Sequence, residues 1–445
     1  MRIGILSLIL LIVTGIGYGE EKISLDSCRQ MALQHNKQLL IGQERIKQAQ
    51  YREKTARAAY LPALDFEGGY VYNEKNLAVL NKDIQLLLEK FIPKDYITYD
   101  IQNVFAGAIT ITQPIYMGGK ILAFNNIIKL AENLAHQEQN LTAENVIYSV
   151  DVVYWQVVSL KAKEDVARQY VALLDTLGQN VNAMIREGVA TRSDALSVSV
   201  KRNEAMVDLT KVENGLALSR MALAQICGLP IDYSFTLCDE ISTKTSHFSL
   251  PQHININDVY RRRNDVKALK TAIKICEQEA KVERAAMLPQ IALIGAYSVS
   301  NPNSFHGFEN KFDGMFSVGA TVKIPIWHWG GNYNKYKASK SEITIANLTL
   351  EDAMSKISLQ VQEAYFKRNE AQKIYTTALS NSANAEENLR TAMLGFREGV
   401  ITSTKVMEAQ TAWLNAQSQL IDSSIDIRLC DVYLSKVLGT LSLNY

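Results

Sequence analysis

The sequence contains two copies of one unit, and this duplication restricts the possible folds more than any other feature. The motif Arg57-Ala-Ala-Tyr-Leu-Pro62 returns as Arg284-Ala-Ala-Met-Leu-Pro289, and Arg186-Glu-Gly-Val189 returns as Arg397-Glu-Gly-Val400. Self-similarity of this kind is the signature of a repeat architecture. We therefore predict a first repeat at residues 20–230, a linker at 231–253 and a second repeat at 254–445.

Each repeat is predicted to contain a helix, a strand pair, a very long helix, a turn and a second long helix. Apolar residues recur at helical spacing over residues 25–59, and Pro62 ends that helix. The period then changes to two, which indicates strands at about 63–73, 104–116, 290–300 and 315–326. Helical spacing returns in four long helices, at about 120–178, 192–228, 332–395 and 403–439.

The predicted strands have one apolar, aromatic face and one polar face. Strands of about ten residues are long enough to cross a membrane when they are tilted. An ordinary half-buried sheet shows the same alternation, but these strands lie between helices that are too long for a compact domain. The polar side chains that we expect to face a water-filled lumen are Asp65, Glu67, Thr110, Thr112, Thr321 and Lys323.

Four membrane strands cannot close a barrel by themselves. An open strand edge in lipid leaves backbone N–H and C=O groups unpaired, at a cost of several kcal/mol each. A barrel of about eight strands is nearly filled by its own side chains. An open lumen therefore requires at least three copies of the chain, which supply twelve strands or more.

The N-terminus and the charge balance restrict the compartment and the partners. Residues 1–19 are predicted to be a signal peptide, because Arg2 precedes a short apolar run and Gly17 and Gly19 precede the expected cleavage point. A transmembrane anchor is the alternative, although the run is short for a span. The 47 Lys and Arg residues balance 46 Asp and Glu residues, so no nucleic acid partner is expected.

No constellation of residues predicts chemistry. The six histidines show no metal-ligand spacing, and no catalytic arrangement can be argued from the sequence, so no metal, cofactor or enzymatic activity is expected. The five cysteines fit no metal pattern. Cys227 and Cys238 could form a disulfide in an oxidising compartment, or they could remain separate buried residues. The segment at 73–103 is predicted to be an external loop.

The motifs, their order and their duplication resemble the TolC-like outer membrane efflux protein family over nearly the whole mature chain. They are the Ala-Ala-x-Leu-Pro before a strand, the Pro-Ile-Tyr or Pro-Ile-Trp followed by Gly-Gly, and the Arg-Glu-Gly-Val-x-Thr. The resemblance implies a mainly α protein with membrane β: a homotrimeric twelve-stranded β-barrel, four strands per protomer, that continues into a long antiparallel α-helical coiled-coil barrel. It also implies a location in the cell outer membrane, with the helical barrel in the periplasm.

By the same resemblance, the chain is the passive exit duct of a tripartite efflux or type I secretion system. The implied partners are a periplasmic adaptor (membrane fusion) protein, an inner-membrane pump of RND or ABC type, and outer membrane lipid. The alternative function is a secreted periplasmic coiled-coil tether or adaptor without a pore. The cargo, whether drugs, metals or polypeptides, and the pump type stay open.

The resemblance places the periplasmic aperture and the adaptor contact at the two helix–helix turns. The implied residues are Arg186, Glu187, Gly188, Val189, Ser193, Asp194, Phe396, Arg397, Glu398, Gly399, Val400, Lys405 and Glu408. Ser193 and Asp194 align with the polar gate pair, Phe396 stands where an aromatic gate residue often sits, and Glu408 aligns with an acidic ring position. A solvated helix start capped by Asp194 is the alternative.

The sequence departs from the family pattern at two gate positions. Ile401 stands where an arginine is expected, and Lys405 stands where the other acidic ring residue is expected. A ring that alternates Lys405 with Glu408 attracts cations less than an all-acidic ring does.

Overall fold

A computed structural model describes residues 21–75, 82–92, 101–241, 254–303 and 309–441 of the chain. The predicted signal peptide and parts of the predicted 73–103 loop and 231–253 linker lie outside these residues. The first half contains β1 Glu21–Ile23, α1 Leu25–His35, α2 Lys37–Ala58, β2 Ala63–Tyr72, α3 Lys82–Leu88, β3 Asn103–Met117, α4 Lys120–Arg186, α5 Arg192–Cys227 and β4 Phe235–Leu237. The second half contains α6 Ile256–Arg262, α7 Asn264–Ala285, β5 Gln290–Asn301, β6 Asp313–Lys323, α8 Gly331–Arg397 and α9 Ser403–Val437.

The helix predicted at 25–59 is two helices, because the chain breaks at Asn36. This residue has extended backbone angles, and its side-chain amide donates a 3.0 Å hydrogen bond to the carbonyl oxygen of Ile226. The second repeat has an equivalent break at Arg263, whose guanidinium donates a 3.0 Å hydrogen bond to the carbonyl oxygen of Val437. Both copies therefore fix the break against the end of their last long helix.

The four long strands form one antiparallel sheet in the order β2-β3-β5-β6. The two repeats meet where β3 pairs with β5, and the register shifts between Pro114 and Tyr116. Within the described residues, β2 and β6 each have one hydrogen-bonded neighbour. β6 ends at Lys323, earlier than the predicted residue 326, because Pro325 lacks the N–H that a strand ladder needs.

A tight junction separates the first strand pair from α4. Gly118 has a φ of +63°, in the left-handed region that favours glycine. A Cβ at this position would lie 2.7 Å from the carbonyl oxygen of Ala285, which is closer than real Cβ contacts. The glycine therefore allows α7 to approach the junction.

The helices α4 and α8 contain 67 residues each. α4 continues to Arg186, past the end predicted at residue 178. Gly178 lies within the helix, and a side-chain methyl of Val198 is 3.6 Å from its ideal Cβ position. None of the helices among the described residues combines the length and the apolar character of a membrane-crossing helix.

The chain forms two compact units, and neither coincides with a sequence repeat. The first unit comprises the described residues within Met1–Gly42, Gln139–Asn264 and Met354–Tyr445. The second unit comprises those within Gln43–Glu138 and Asp265–Ala353, and it contains the four-stranded sheet. Each unit therefore draws on both repeats.

The first unit has a core around the middle of α4. Tyr154 is completely buried, and its hydroxyl donates a 2.6 Å hydrogen bond to the carboxylate of Asp239. Asp151 is also completely buried, and the guanidinium of Arg29 donates two 2.7 Å hydrogen bonds to its two carboxylate oxygens. In the same unit β1 pairs in parallel with β4, which joins the segment before α1 to the predicted linker.

Candidate functional site

The first helix–helix turn is closed by a glycine and a capping box. α4 ends at Arg186, Gly188 has a φ of +73°, and the amide of Val189 donates a 3.0 Å hydrogen bond to the carbonyl oxygen of Met184. Thr191 is the N-cap of α5. Its amide donates a 2.9 Å hydrogen bond to the Asp194 carboxylate, and its hydroxyl oxygen accepts a 3.3 Å hydrogen bond from the Asp194 amide.

The second turn has the same glycine geometry but a different helix start. Gly399 has a φ of +74°, and the amide of Val400 donates a 2.8 Å hydrogen bond to the carbonyl oxygen of Gly395. Thr402 is the N-cap of α9, and among the described residues it makes no side-chain capping hydrogen bond. The ammonium of Lys405 instead pairs with the carboxylate of Glu408 at 2.7 Å.

One carboxylate connects the two turns. The hydroxyl of Ser403 donates a 3.4 Å hydrogen bond to Oδ1 of Asp194, while Oδ2 of Asp194 accepts from the amide and the hydroxyl of Thr191. The hydrogen bonds from Thr191 hold the pKa of Asp194 below its usual value. Asp194 is therefore a charged link between the starts of α5 and α9.

An apolar core lies directly behind the turns. Phe396 is only 6% exposed, and the core comprises Leu177, Val181, Val198, Phe396 and Val406. The resemblance suggests Phe396 as an aromatic gate residue, but the structure places its side chain inside this core. The exposed apolar residues of the turns are Val189, at 68%, and Val400, at 81%.

Ile401 packs against the same core, at the position where the resemblance predicts an arginine. A Cβ on Gly395 would lie 2.7 Å from Cδ1 of Ile401, so the glycine leaves space for this side chain. The second turn therefore gains an apolar contact at the position where a guanidinium was expected.

An open groove of about 530 Å³ runs between α5 and α9 behind the turns. It brings Glu408 next to residues that the sequence analysis did not single out. Its apolar lining includes Val200, Met407 and Ala412, and Val200 on α5 is exposed. An exposed apolar residue on a helix is the signal that the sequence offers for this groove. The groove lining includes Ser197, Val200, Lys201, Thr404, Met407 and Glu408.

The sheet carries the other predicted site residues, and its register places all six on one face. Residues directly opposite in neighbouring strands share a face. Asp65 pairs with Thr110, and Ala63 pairs with Thr112. Ala292, on the same face, pairs with Thr321. The residues of this polar face are Asp65, Glu67, Thr110, Thr112, Thr321 and Lys323.

The opposite face of the sheet is apolar and exposed. Phe66 is 74% exposed and Val318 is 72% exposed. In a soluble monomer such a surface would be a large apolar patch in water. The large exposed side chains on this face include Leu64, Phe66, Tyr70, Tyr72, Phe105, Ile109, Ile111, Leu293, Tyr297, Phe316, Val318 and Val322.

Comparison with known proteins identifies the family. The model of the outer membrane efflux protein family matches residues 28–229 and 255–440, which is most of the chain. The chain belongs to the outer membrane efflux protein family. It is therefore an outer-membrane protein of efflux transport, with its helical part in the periplasm, as the resemblance predicted. The match to both halves also follows the duplication that the sequence shows.

Individual relatives agree with this assignment. This efflux protein is 20% identical to the outer membrane protein TolC of Vibrio cholerae serotype O1, over 87% of this chain and 84% of the relative. It is 21% identical to the toluene efflux pump outer membrane protein TtgF of Pseudomonas putida, over 76% of this chain and 70% of the relative.

Solved structures establish the TolC-like fold. The structure of CusC has a TM-score of 0.77 at 15% identity, and the match covers 96% of this chain and 95% of that chain. The outer membrane protein VceC of Vibrio cholerae has a TM-score of 0.75 at 16% identity, and the match covers 93% of this chain and 96% of that chain. The predicted arrangement of strand pairs and long helices is therefore that of a known outer-membrane fold.

Proposed function

We propose that this outer membrane efflux protein is the passive exit duct of a tripartite efflux or type I secretion system and that it works as a homotrimer. The observation that carries the proposal is the four-stranded sheet. Among the described residues each of its two outer strands pairs with a single strand, and one face of the sheet is apolar and exposed. In this proposal the chain conducts cargo and catalyses no reaction.

The outer strands require partners in lipid. In the part of the chain that the structure describes, β2 and β6 present unpaired backbone groups at the two edges of the sheet. Each such group costs several kcal/mol in hydrocarbon. Pairing β6 of one copy with β2 of the next removes both edges. Three copies supply twelve strands, which leaves space for an aqueous lumen.

The two faces of the sheet suit opposite surroundings. Phe66, Phe316 and Val318 would contact lipid, because their face carries large exposed apolar side chains from all four strands. Asp65 and Lys323 belong to the polar face and would line the lumen. This arrangement avoids the cost of several kcal/mol that a charged side chain pays in the bilayer.

The long helices also leave apolar surface for neighbouring copies. Exposed apolar side chains on α5 and α8 would be covered by the helices of adjacent protomers in a helical barrel. Each 67-residue helix rises roughly 100 Å at 1.5 Å per residue. The residues concerned include Leu196, Val207, Leu218, Leu359 and Phe366.

The two turns are the proposed periplasmic aperture and adaptor contact. Val189 and Val400 are exposed at the turns and would meet a periplasmic adaptor, which in turn connects to an inner-membrane pump. Lys405 and Glu408 would repeat around the trimer axis as a mixed ring, with weaker cation attraction than an acidic ring.

Two neighbouring residues of β6 provide a matched test. Val318→Lys puts a charge on the proposed lipid face. A lysine there costs about 2–4 kcal/mol near the bilayer centre, so this variant should insert less into the outer membrane. Ser317→Lys puts the same charge on the opposite face and should insert normally while shifting pore selectivity toward anions. Membrane fractionation and planar-bilayer recording measure the two effects.

The oligomer is tested on the purified mature chain in mild detergent. A trimeric mass and discrete conductance steps are expected. A monomer that is released from membranes by salt washing would favour the tether alternative. Equal insertion of the two lysine variants would contradict the assignment of the apolar face to lipid.

A further inference from the structure

Two cysteines from distant parts of the sequence meet in the core of the first unit. Cys28 lies on α1 and Cys227 is the last residue of α5, and each is 1% exposed. The thiol of Cys227 donates a 3.5 Å hydrogen bond to the carbonyl oxygen of Cys28. The two thiols also form a hydrogen bond with each other. The pair is free in the structure, and Cys238, the other candidate partner of Cys227, is exposed.

Packing alone does not require a thiol at this place. Gly228 after Cys227 corresponds to Gly439 in the second repeat, where Leu438 occupies the preceding position. The surroundings of the two cysteines are apolar, with Ala32, Leu223 and Phe235 in the same core. The described residues contain no cluster of metal-ligating side chains, so a metal does not account for the pair.

Each cysteine is only 1% exposed, so the folded protein shields both thiols from an oxidant. The hydrogen bond between them lowers the pKa of the Cys227 thiol. The hydrogen bond with Cys227, followed by burial, raises the pKa of the Cys28 thiol. Only a thiolate attacks a disulfide at a useful rate. An exchange reaction at this pair therefore has to occur before α1 packs against α5.

The helical part of this outer-membrane protein lies in the periplasm, a compartment where disulfides form and persist. We propose that Cys28 and Cys227 are joined by a disulfide in the mature protein, which ties the N-terminal helix α1 to the end of α5. The pairing replaces the Cys227–Cys238 disulfide that the sequence left open.

The oxidant would be a periplasmic dithiol–disulfide oxidoreductase. The thiolate of one cysteine attacks a sulfur of the oxidoreductase disulfide and forms a mixed disulfide, releasing one thiolate of the oxidoreductase. The second cysteine thiolate then attacks the mixed disulfide, forms the Cys28–Cys227 bond and releases the other thiolate. Two electrons and two protons pass to the oxidoreductase, which leaves as a dithiol.

The crosslink would hold a segment that already has several contacts in the same region. Asn36 bonds to the carbonyl oxygen of Ile226, and β1 pairs with β4. Because a disulfide between distant residues limits the unfolded chain, it stabilises the folded segment. Detachment of α1 from α5 would then require a reductant as well as heat.

Peptide mapping of the mature protein tests the proposal. The protein is purified without reductant, unfolded in iodoacetamide and digested with trypsin and chymotrypsin. Trypsin releases Cys28 on the peptide 23–29, and chymotrypsin separates Cys227 from Cys238 by cleaving after Tyr233 or Phe235. A crosslinked peptide that splits on reduction, together with alkylated Cys238, is expected. Alkylation of both Cys28 and Cys227 before reduction, or a Cys227–Cys238 link, would overturn the proposal.

Variants provide a second readout that does not depend on pore formation. Reductant should lower the thermal midpoint of the wild-type protein by several degrees and leave the Cys28→Ala variant unchanged. The matched control, Cys238→Ser, should keep both the crosslink and the reductant effect. If Cys238→Ser abolishes the crosslink, the pairing is wrong, whatever the conductance of the channel.

Discussion

The two helix–helix turns have the same backbone but different helix starts. Both copies contain Arg-Glu-Gly-Val followed by a threonine N-cap, and both glycines have φ near +74°. The third residue of the following helix is Asp194 in the first turn and Lys405 in the second. Only the first turn forms a capping box, because an ammonium group cannot accept a hydrogen bond from the N-cap amide.

The two repeats therefore share the backbone conformation of the turn but differ in the side-chain hydrogen bonds that stabilise it. The Asp194 carboxylate caps α5 and also accepts the hydrogen bond from Ser403 at the start of α9. The second turn therefore depends on a carboxylate that belongs to the first. We infer that the second turn opens more easily than the first.

The largest test of the comparison is Phe396→Ala, because Phe396 fills the core behind both turns. Phe-to-Ala changes in cores cost about 3–5 kcal/mol. Amide hydrogen exchange should accelerate in both turns. The equivalent position in the first repeat is Ile185, which is only partly buried, so Ile185→Ala should have a smaller effect. Equal effects would mean that the two repeats contribute equally to this core.

A second test applies the same substitution to both N-caps. Thr191→Ala removes an N-cap that makes two hydrogen bonds with Asp194 and should destabilise the start of α5 by about 1 kcal/mol. Thr402→Ala should change little, because the Thr402 side chain makes no capping hydrogen bond. The measurement is amide exchange over the first turn of each helix. Similar acceleration in both variants would contradict the proposed difference.

Much of the fold could be predicted because its determinants are local. Alternation of period two defined the strands and their two faces, and the register later placed the six polar residues on one face. The break at Asn36 could not be predicted, because it depends on the carbonyl oxygen of Ile226, far away in the sequence. Beyond Gly178, Val181 of α4 shares a core with Val198 of α5, a contact that helical periodicity does not reveal.

The candidate site was predictable in its position and not in its contacts. The Arg-Glu-Gly-Val motifs located the two turns, and a capping role for Asp194 was one of the two interpretations of that residue. The link from Ser403 to Asp194 joins residues of different repeats, and no local pattern indicates it. The burial of Phe396 arises from four helices that meet behind the turns, which helical periodicity alone does not reveal.

A third test makes the second turn resemble the first. Lys405→Asp places a carboxylate three residues after the Thr402 N-cap, so a capping box becomes possible and exchange at the start of α9 should slow a few-fold. The exposed ion pair with Glu408 is lost, but such pairs contribute at most about 1 kcal/mol. In a planar bilayer the proposed channel should also shift toward cations.

The control for this change is Lys405→Met, which removes the positive charge without adding a cap. It should shift ion preference by a smaller amount and leave the exchange at α9 unchanged. Unchanged ion selectivity in Lys405→Asp would show that Lys405 does not face the bore. Unchanged amide exchange would show that the charge at this position does not stabilise the turn.

The smallest expected effect is the response of the two turns to acid. Hydrogen bonds from Thr191 hold the pKa of Asp194 below its ordinary value of 3.8. A carboxyl whose folded pKa is lowered stabilises the fold above its unfolded pKa, and this contribution disappears as the pH falls through the folded pKa. Amide exchange in the first turn, corrected for its intrinsic pH dependence, should therefore be constant down to about pH 4 and accelerate below it.

Asp194→Asn should remove this acid response, because the amide does not titrate. The second turn should respond only through the single bond from Ser403. If both turns of Asp194→Asn still respond equally to acid, the response belongs to a group other than Asp194. That result would also contradict the dependence of the second turn on the first.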